Sequence, residues 1–154
     1  MNIIVQKFGG TSVSTEDRRK QVAIKVKEAI ENGFTPIVVV SAMGRKGQPY
    51  ATDTLLTLID DKFKEANRNS KDLLMCCGEI ISSVVVANAL YNEGIEAVPL
   101  TGGQAGIITD DNFCEAEYIS IDIDRLLSVV REGKVPVVTG FQGITKDGYF
   151  TTLG

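Results

Sequence analysis

Six positions near the start of the chain combine a cation, two glycines and two hydroxyls: Lys7, Phe8, Gly9, Gly10, Thr11 and Ser12, directly after the apolar run NIIVQ. Glycines without a Cβ let an anion approach backbone N–H groups, a following helix N-terminus favours negative charge, and Lys7 adds a full positive charge. The lysine precedes its glycines, so this is neither the G-x-x-x-x-G-K-[ST] loop nor G-x-G-x-x-G. The same residues also suit an ordinary strand-ending turn with a surface lysine, and periodicity does not separate the two. A second candidate is Glu79, a carboxylate set in the apolar stretch LLMCCGEII. Buried without a partner it costs several kcal/mol or is driven neutral, so it calls for a cation. That cation is an internal Lys or Arg, or an ammonium group on a ligand with Gly78 leaving room for its approach; exposure on a narrow polar strip is the remaining alternative. Third are Ser41 and the 42–51 loop that leads to Thr52, Asp53 and Thr54: hydroxyls and amides at a strand's carboxyl end can receive a carboxylate or phosphate, or simply cap a helix, and Gly44 and Gly47 permit the loop to close as a lid.

The elements that must hold these groups follow from hydrophobic period. Asn2 to Phe8 reads as a strand. Ser14-Thr15-Glu16-Asp17 supplies capping hydroxyls and first-turn acids before Val22, Val26, Ala29 and Ile30 recur at helical spacing, and Gly33 ends that helix. TPIVVVS at 35–41 is a continuous β-branched run, the mark of a parallel strand covered on both faces. A helix is predicted from about Thr52 or Asp53 to Ala66, and after the polar link NRNSK a long one from about Asp72 to Glu93. Its apolar residues, among them Leu73, Ile80, Val84 and Ala89, cover more than one face, which predicts burial of much of its surface. Strands are predicted over 95–100, 106–109, 118–121 and 135–142, a helix over 122–132, and a terminal hairpin turning at Asp147-Gly148. The alternation predicts an α/β fold: three αβα layers around a mainly parallel sheet, whose strand ends are where such folds bind ligands.

Composition narrows the chemistry. The chain has 154 residues, 44% of them apolar, enough for one domain with a real core, and a formal charge of -4 with no basic cluster. Nucleic-acid backbones and anionic membranes are therefore not expected partners. No apolar run approaches the roughly 20 residues of a bilayer span and no basic start leads into an apolar segment, which points to a cytoplasmic protein. The three cysteines include an adjacent pair, suiting neither a disulfide framework nor C-x-x-C metal spacing, and are expected to be buried reduced thiols. There is no histidine. Ser-His-Asp and Cys-His pairs, His-ligated zinc and histidine general bases are thereby excluded, and no metal-ligand set is evident.

KFGGTSV at 7–13, VVVSAMG at 38–44, CGEIIS at 77–82, LTGGQAGI at 100–107, GFQG at 140–143 and the terminal TTLG occur in one order over the whole chain. In these stretches the sequence resembles the amino acid kinase superfamily and, within it, the aspartate kinases. The resemblance implies that residues 1–154 are the N-terminal part of a catalytic domain, with TTLG continuing into an R-G-G-S-D stretch, the rest of a nucleotide lobe and regulatory domains. It implies transfer of a phosphoryl group from ATP, with Mg²⁺, to the side-chain carboxylate of L-aspartate. The product, 4-phospho-L-aspartate, opens the diaminopimelate route to lysine, threonine and methionine, and the parent enzyme is expected to be a homo-oligomer such as a dimer. By itself the piece is expected to be inactive. Residue by residue, the resemblance assigns Lys7 to catalysis and, with the Phe8-Gly9-Gly10 backbone, to the ATP phosphates. Thr52 and Glu79 are assigned to aspartate, Glu79 meeting its α-ammonium; Ser41 lies beside the transferred group, with Thr11 and Ser12 nearby. The choice of Thr52 over Thr54 follows from aligning ATDTLL with the family's S-T-D-E-L across a longer loop, and Gly103 stands where a tryptophan is common. Relatives that phosphorylate glutamate, acetylglutamate, carbamate or UMP, and a non-catalytic binding module, are the alternatives.

Overall fold

In the computed structural model, which describes residues 1–154, the chain runs β1 (Ile3–Phe8), α1 (Glu16–Glu31), β2 (Thr35–Val40), α2 (Thr52–Leu56), α3 (Asp61–Ala66) and α4 (Arg68–Asn92). It continues with β3 (Ala97–Leu100), β4 (Ile107–Thr109), β5 (Tyr118–Ile121), α5 (Asp124–Arg131), β6 (Val135–Thr139), β7 (Gln142–Ile144) and β8 (Phe150–Thr152). The β-branched runs form a four-stranded, all-parallel sheet in the order β1-β2-β6-β3. Because side chains alternate along a strand, Val38 and Val40 of β2 face one side. There they pack with Val22, Ala23 and Val26 of α1 and with Val86, Ala89 and Leu90 of α4. Ile37 turns to the other side and meets Val129 and Val130 of α5. The expected three αβα layers result.

α1 begins where the sequence places it. Thr15 is the cap, its hydroxyl accepting the Arg18 amide at 3.2 Å, and Gly33 takes φ +84 just past the end.

Several expectations are corrected. The run 135–142 is not one strand: Gly140 donates its amide to the Val40 carbonyl at 2.9 Å, and Phe141, at φ +57, then turns the chain out of the parallel sheet. Gln142 opens β7 in a second, mixed sheet of order β5-β4-β7-β8, whose last two strands are the predicted hairpin. The helix predicted over 52–66 breaks into α2 and α3, because the Thr57 hydroxyl donates to the Thr54 carbonyl at 2.6 Å and Leu58 lies exposed. α4 starts at Arg68, so the polar NRNSK largely forms its first turn. Gly103 lets the Ile144 side chain close over it; a Cβ at this position would lie 2.5 Å from Ile144.

α4 departs furthest from its predicted burial. Its inward face is Asp72, Cys76, Gly78, Ser82, Ser83, Val86, Ala89 and Leu90, whereas Leu73, Val84 and Tyr91 are exposed. By length and composition alone α4 could cross a membrane, which the sequence did not anticipate. In the fold its inward side packs on both sheets. Asp72, with no exposed surface, accepts hydrogen bonds from the Thr152 amide (2.9 Å), the Thr152 hydroxyl (2.6 Å) and the Cys114 amide (2.8 Å). These bonds pin β8 and the 110–116 loop to the first half of the helix. Of the cysteines only Cys76 is buried; Cys77 and Cys114 are half-buried, and all three are free. Burial raises the thiol pKa of Cys76 well above its ordinary value, the Glu79 charge adding to the effect.

Candidate functional site

Parallel pairing sets the carboxyl ends of β1 and β2 side by side, with Phe8 opposite Val40. The turns that follow are joined by backbone bonds, Ser41 N–H to the Phe8 carbonyl (3.1 Å) and Gly44 N–H to the Gly10 carbonyl (2.9 Å). Gly10 is what allows this approach: a Cβ there would sit 2.6 Å from the Ala42 carbonyl oxygen and 2.8 Å from that of Gly44. At Gly9 a Cβ would meet nothing within 4 Å, so the backbone of that turn faces open space. Lys7, exposed at the penultimate position of β1, holds its Nζ 4.3 Å from the centroid of the Phe141 ring, a cation–π contact.

Across from these turns α4 presents Glu79. Its side chain is half-buried and belongs to none of the ion pairs in the chain. Burial raises its pKa to about 7, although backbone hydrogen bonds from Glu79 and Ala42 pull the other way. An internal lysine or arginine pair is therefore excluded. The role expected of Gly78 is corrected: a Cβ on it would lie 2.8 Å from that of Ala42, so this glycine seats α4 against the β2 turn rather than leaving room for a ligand.

Two cavities meet at Glu79. One, of about 320 Å³, is lined by Gly10, Ser41, Arg45, Lys46, Thr52, Asp53, Glu79 and Phe141 among others. The other, of about 260 Å³, is lined by Thr52, Met75, Glu79, Cys114, Phe141, Gln142, Thr152 and Leu153. Thr52, Glu79 and Phe141 are common to both. The structure thus brings together Gly10, Ser41, Thr52 and Glu79 in one cavity, with Lys7 against its Phe141 wall. Thr11 contacts it through its hydroxyl, which accepts Arg45 Nε at 3.1 Å. Ser12 does not join them: it is exposed and lines a separate cavity of about 270 Å³ with Phe8, Arg18, Gln21, Val22 and Lys25. The Phe8 ring turns to that side as well, leaving only its backbone at the strand-end turn.

Three residues of the cleft were not anticipated. Arg45 and Lys46 are the adjacent cations of the 42–51 segment, legible only as a glycine-rich loop; Phe141 lay inside GFQG with nothing to mark its ring. Arg45 and Lys46 make one wall cationic, with Lys7 close by on the Phe141 ring, while Glu79 and Asp53 supply negative charge. Such an arrangement can hold a molecule carrying both an ammonium and an acid group next to a phosphate. No three His, Cys, Asp or Glu side chains come together as a metal-binding group.

Comparison with known proteins gives one consistent result. The amino acid kinase family profile matches residues 2–154. Aspartokinase 1 of Bacillus subtilis (strain 168) is 49% identical over all 154 residues of the chain, which cover 38% of that protein. The aspartokinase of Geobacillus stearothermophilus is 42% identical, with 37% of its length covered. The chain therefore spans less than two-fifths of these relatives. Among solved structures, aspartate kinase from Synechocystis superposes with a TM-score of 0.73 at 38% identity, over the whole chain and 24% of that protein. Aspartokinase III of E. coli, solved in complex with aspartate and ADP, has the same fold with a TM-score of 0.75 at 20% identity, over the whole chain and 44% of its own.

Proposed function

The chain belongs to the amino acid kinase family, and from that premise we propose that it forms the acceptor side and part of the phosphate site of an aspartate kinase. The observation that carries the proposal is Glu79: a half-buried carboxylate without a cation of its own, sharing one cavity with Ser41 and Thr52. An α-ammonium group supplies the missing charge and draws the Glu79 pKa back down. The named relatives and the aspartate complex of the E. coli enzyme support aspartate as the acid.

In this reading an oxygen of the aspartate side-chain carboxylate attacks the γ-phosphorus of ATP. A new P–O bond forms, the bond to the β,γ-bridging oxygen breaks, and ADP departs with that electron pair. The nucleophile is already ionised at pH 7, so no general base is needed and the absence of histidine removes nothing. The remaining demand is electrostatic. Two anions must meet, and Lys7 with the open backbone amides of the Gly9-Gly10 turn offsets the charge gathering on the phosphoryl oxygens. Ser41 orients the transferred group and Thr52 the amino acid. Mg²⁺ would lower the negative charge of the nucleotide when bound with it.

A coupled assay of ADP release by the enzyme that carries this catalytic domain tests the proposal. L-aspartate is expected to support turnover. Equal or greater turnover with glutamate, acetylglutamate, carbamate or UMP would overturn the aspartate assignment while leaving family membership untouched.

A further inference from the structure

The 42–51 loop, which the sequence marks as able to close as a lid through Gly44 and Gly47, also delivers an arginine to the seam between the two strand-end turns. Its local fold is fixed. The Arg45 amide donates to Gln48 Oε1 at 2.8 Å, the Arg45 carbonyl accepts the Gln48 amide at 2.9 Å, and Gly44 and Gly47, both at positive φ, bracket the Arg45-Lys46 pair. From this base the side chain reaches back across the cleft, and its Nε donates to the Thr11 hydroxyl at 3.1 Å. Nη1 and Nη2 make no hydrogen bond or ion pair within the chain, and the residue lines the cavity that also holds Ser41, Thr52 and Glu79.

A guanidinium tethered through Nε is an oriented fork. Its free nitrogens can present parallel donors to two oxygens of a phosphate or carboxylate, a geometry that lysine cannot copy. Thr11, the tether, is part of the Lys7–Thr11 turn, whose glycine backbone is open at Gly9. The fork therefore lies on the phosphate side of the cavity rather than at Glu79. We propose that Arg45 is a phosphate-binding residue of this site, its fork receiving oxygens of the terminal phosphoryl group of a nucleotide bound on the Lys7–Thr11 turn. This assignment rests on the kinase reading. It gives the loop between β2 and α2 a role in closing over the phosphate, with Thr11 positioning the guanidinium.

Calorimetric titration of the enzyme that carries this domain with sodium tripolyphosphate, with Mg-ATP and with L-aspartate tests it, in wild type, Arg45→Gln, Arg45→Lys and Thr11→Val. Arg45 is exposed, and circular dichroism of each variant verifies the fold. Arg45→Gln is expected to weaken tripolyphosphate and Mg-ATP binding on the order of tenfold or more. Arg45→Lys recovers only part of that loss, Thr11→Val produces a smaller one, and aspartate binding stays within about twofold throughout. Wild-type binding of tripolyphosphate with Arg45→Gln within about twofold of it overturns the Arg45 assignment and leaves the kinase reading standing. A loss confined to aspartate overturns it in favour of a carboxylate ligand. A wild-type enzyme that binds neither phosphate compound overturns both this assignment and the reading of the glycine turn.

Discussion

Glu79→Gln should make the ligand-free chain more stable at pH 8 and leave it unchanged near pH 4. Burial lifts the carboxyl from its ordinary 4.5 to about 7. Below pH 4.5 the group is protonated in both folded and unfolded chains and has no adverse effect. As the pH rises from there, the unfolded chain ionises first and stability drains away, the loss being complete once the pH passes the folded value near 7. At about 1.4 kcal/mol per unit the full penalty is about 3 kcal/mol, and the part of the side chain that still meets water brings it to about 2 kcal/mol. Glutamine has nearly the same shape and no charge at any pH, so it escapes the penalty. For a chain of this size, Tm at pH 8 should rise by about 4–8 °C, with the difference vanishing toward pH 4. Thermal unfolding followed by circular dichroism at pH 4, 6, 7 and 8 reads this directly. A variant no more stable than wild type at pH 8, or a gain independent of pH, refutes the unpaired carboxylate. L-aspartate should then raise the Tm of wild type at pH 8 and not that of the variant, because the ammonium group has lost its partner.

Other outcomes follow from the same geometry. Lys7→Ala in the enzyme carrying this domain should lower kcat on the order of 10²; steady-state ADP release within about threefold of wild type removes the lysine from catalysis. Aspartate affinity should fall as the pH drops below about 7, toward tenfold per unit, because only ionised Glu79 pairs with the ammonium; calorimetric titration between pH 5.5 and 8, as set points, reads the slope. Gly10→Ala should destabilise the chain by about 1–3 kcal/mol, its methyl meeting two carbonyl oxygens, whereas Gly9→Ala should leave urea unfolding unchanged. Asp72→Ala should cost about 3 kcal/mol in urea unfolding, since it orphans the Thr152 and Cys114 donors in the interior.

The covered elements were the legible ones. β2 reads as a doubly buried strand because TPIVVV tolerates no water on either side, and α1 is framed by Thr15 and Gly33, whose roles are local. What sequence periodicity missed depends on tertiary contacts. In VPVVTGFQ the Thr139-Gly140 pair signals a strand end, but nothing marks the turn that follows, since Phe141 is apolar and its left-handed backbone is imposed by the junction. Leu73 and Val84 look like core residues, and only the packing of α4 shows that its sheet-facing side is partly polar. The same held in the cleft. Lys7, Ser41, Thr52 and Glu79 stand out by type against apolar surroundings, but Arg45 is one cation in a polar loop, and only its reach to Thr11 sets it apart. Gly78 was misread because a glycine beside a buried acid suggests open space, while its actual neighbour is Ala42.

The junction at Phe141 also makes the two sheets interdependent. It forms the shortest covalent link between them, its carbonyl is fixed by the Leu153 amide at 2.9 Å, and its ring rests on Lys7. A left-handed phenylalanine is disfavoured by about 1–2 kcal/mol, so the conformation is held by these surrounding contacts rather than by the residue's own preference. The first strand of the parallel sheet and the start of the second sheet therefore lean on one side-chain pair, Lys7 on Phe141, as well as on the chain itself.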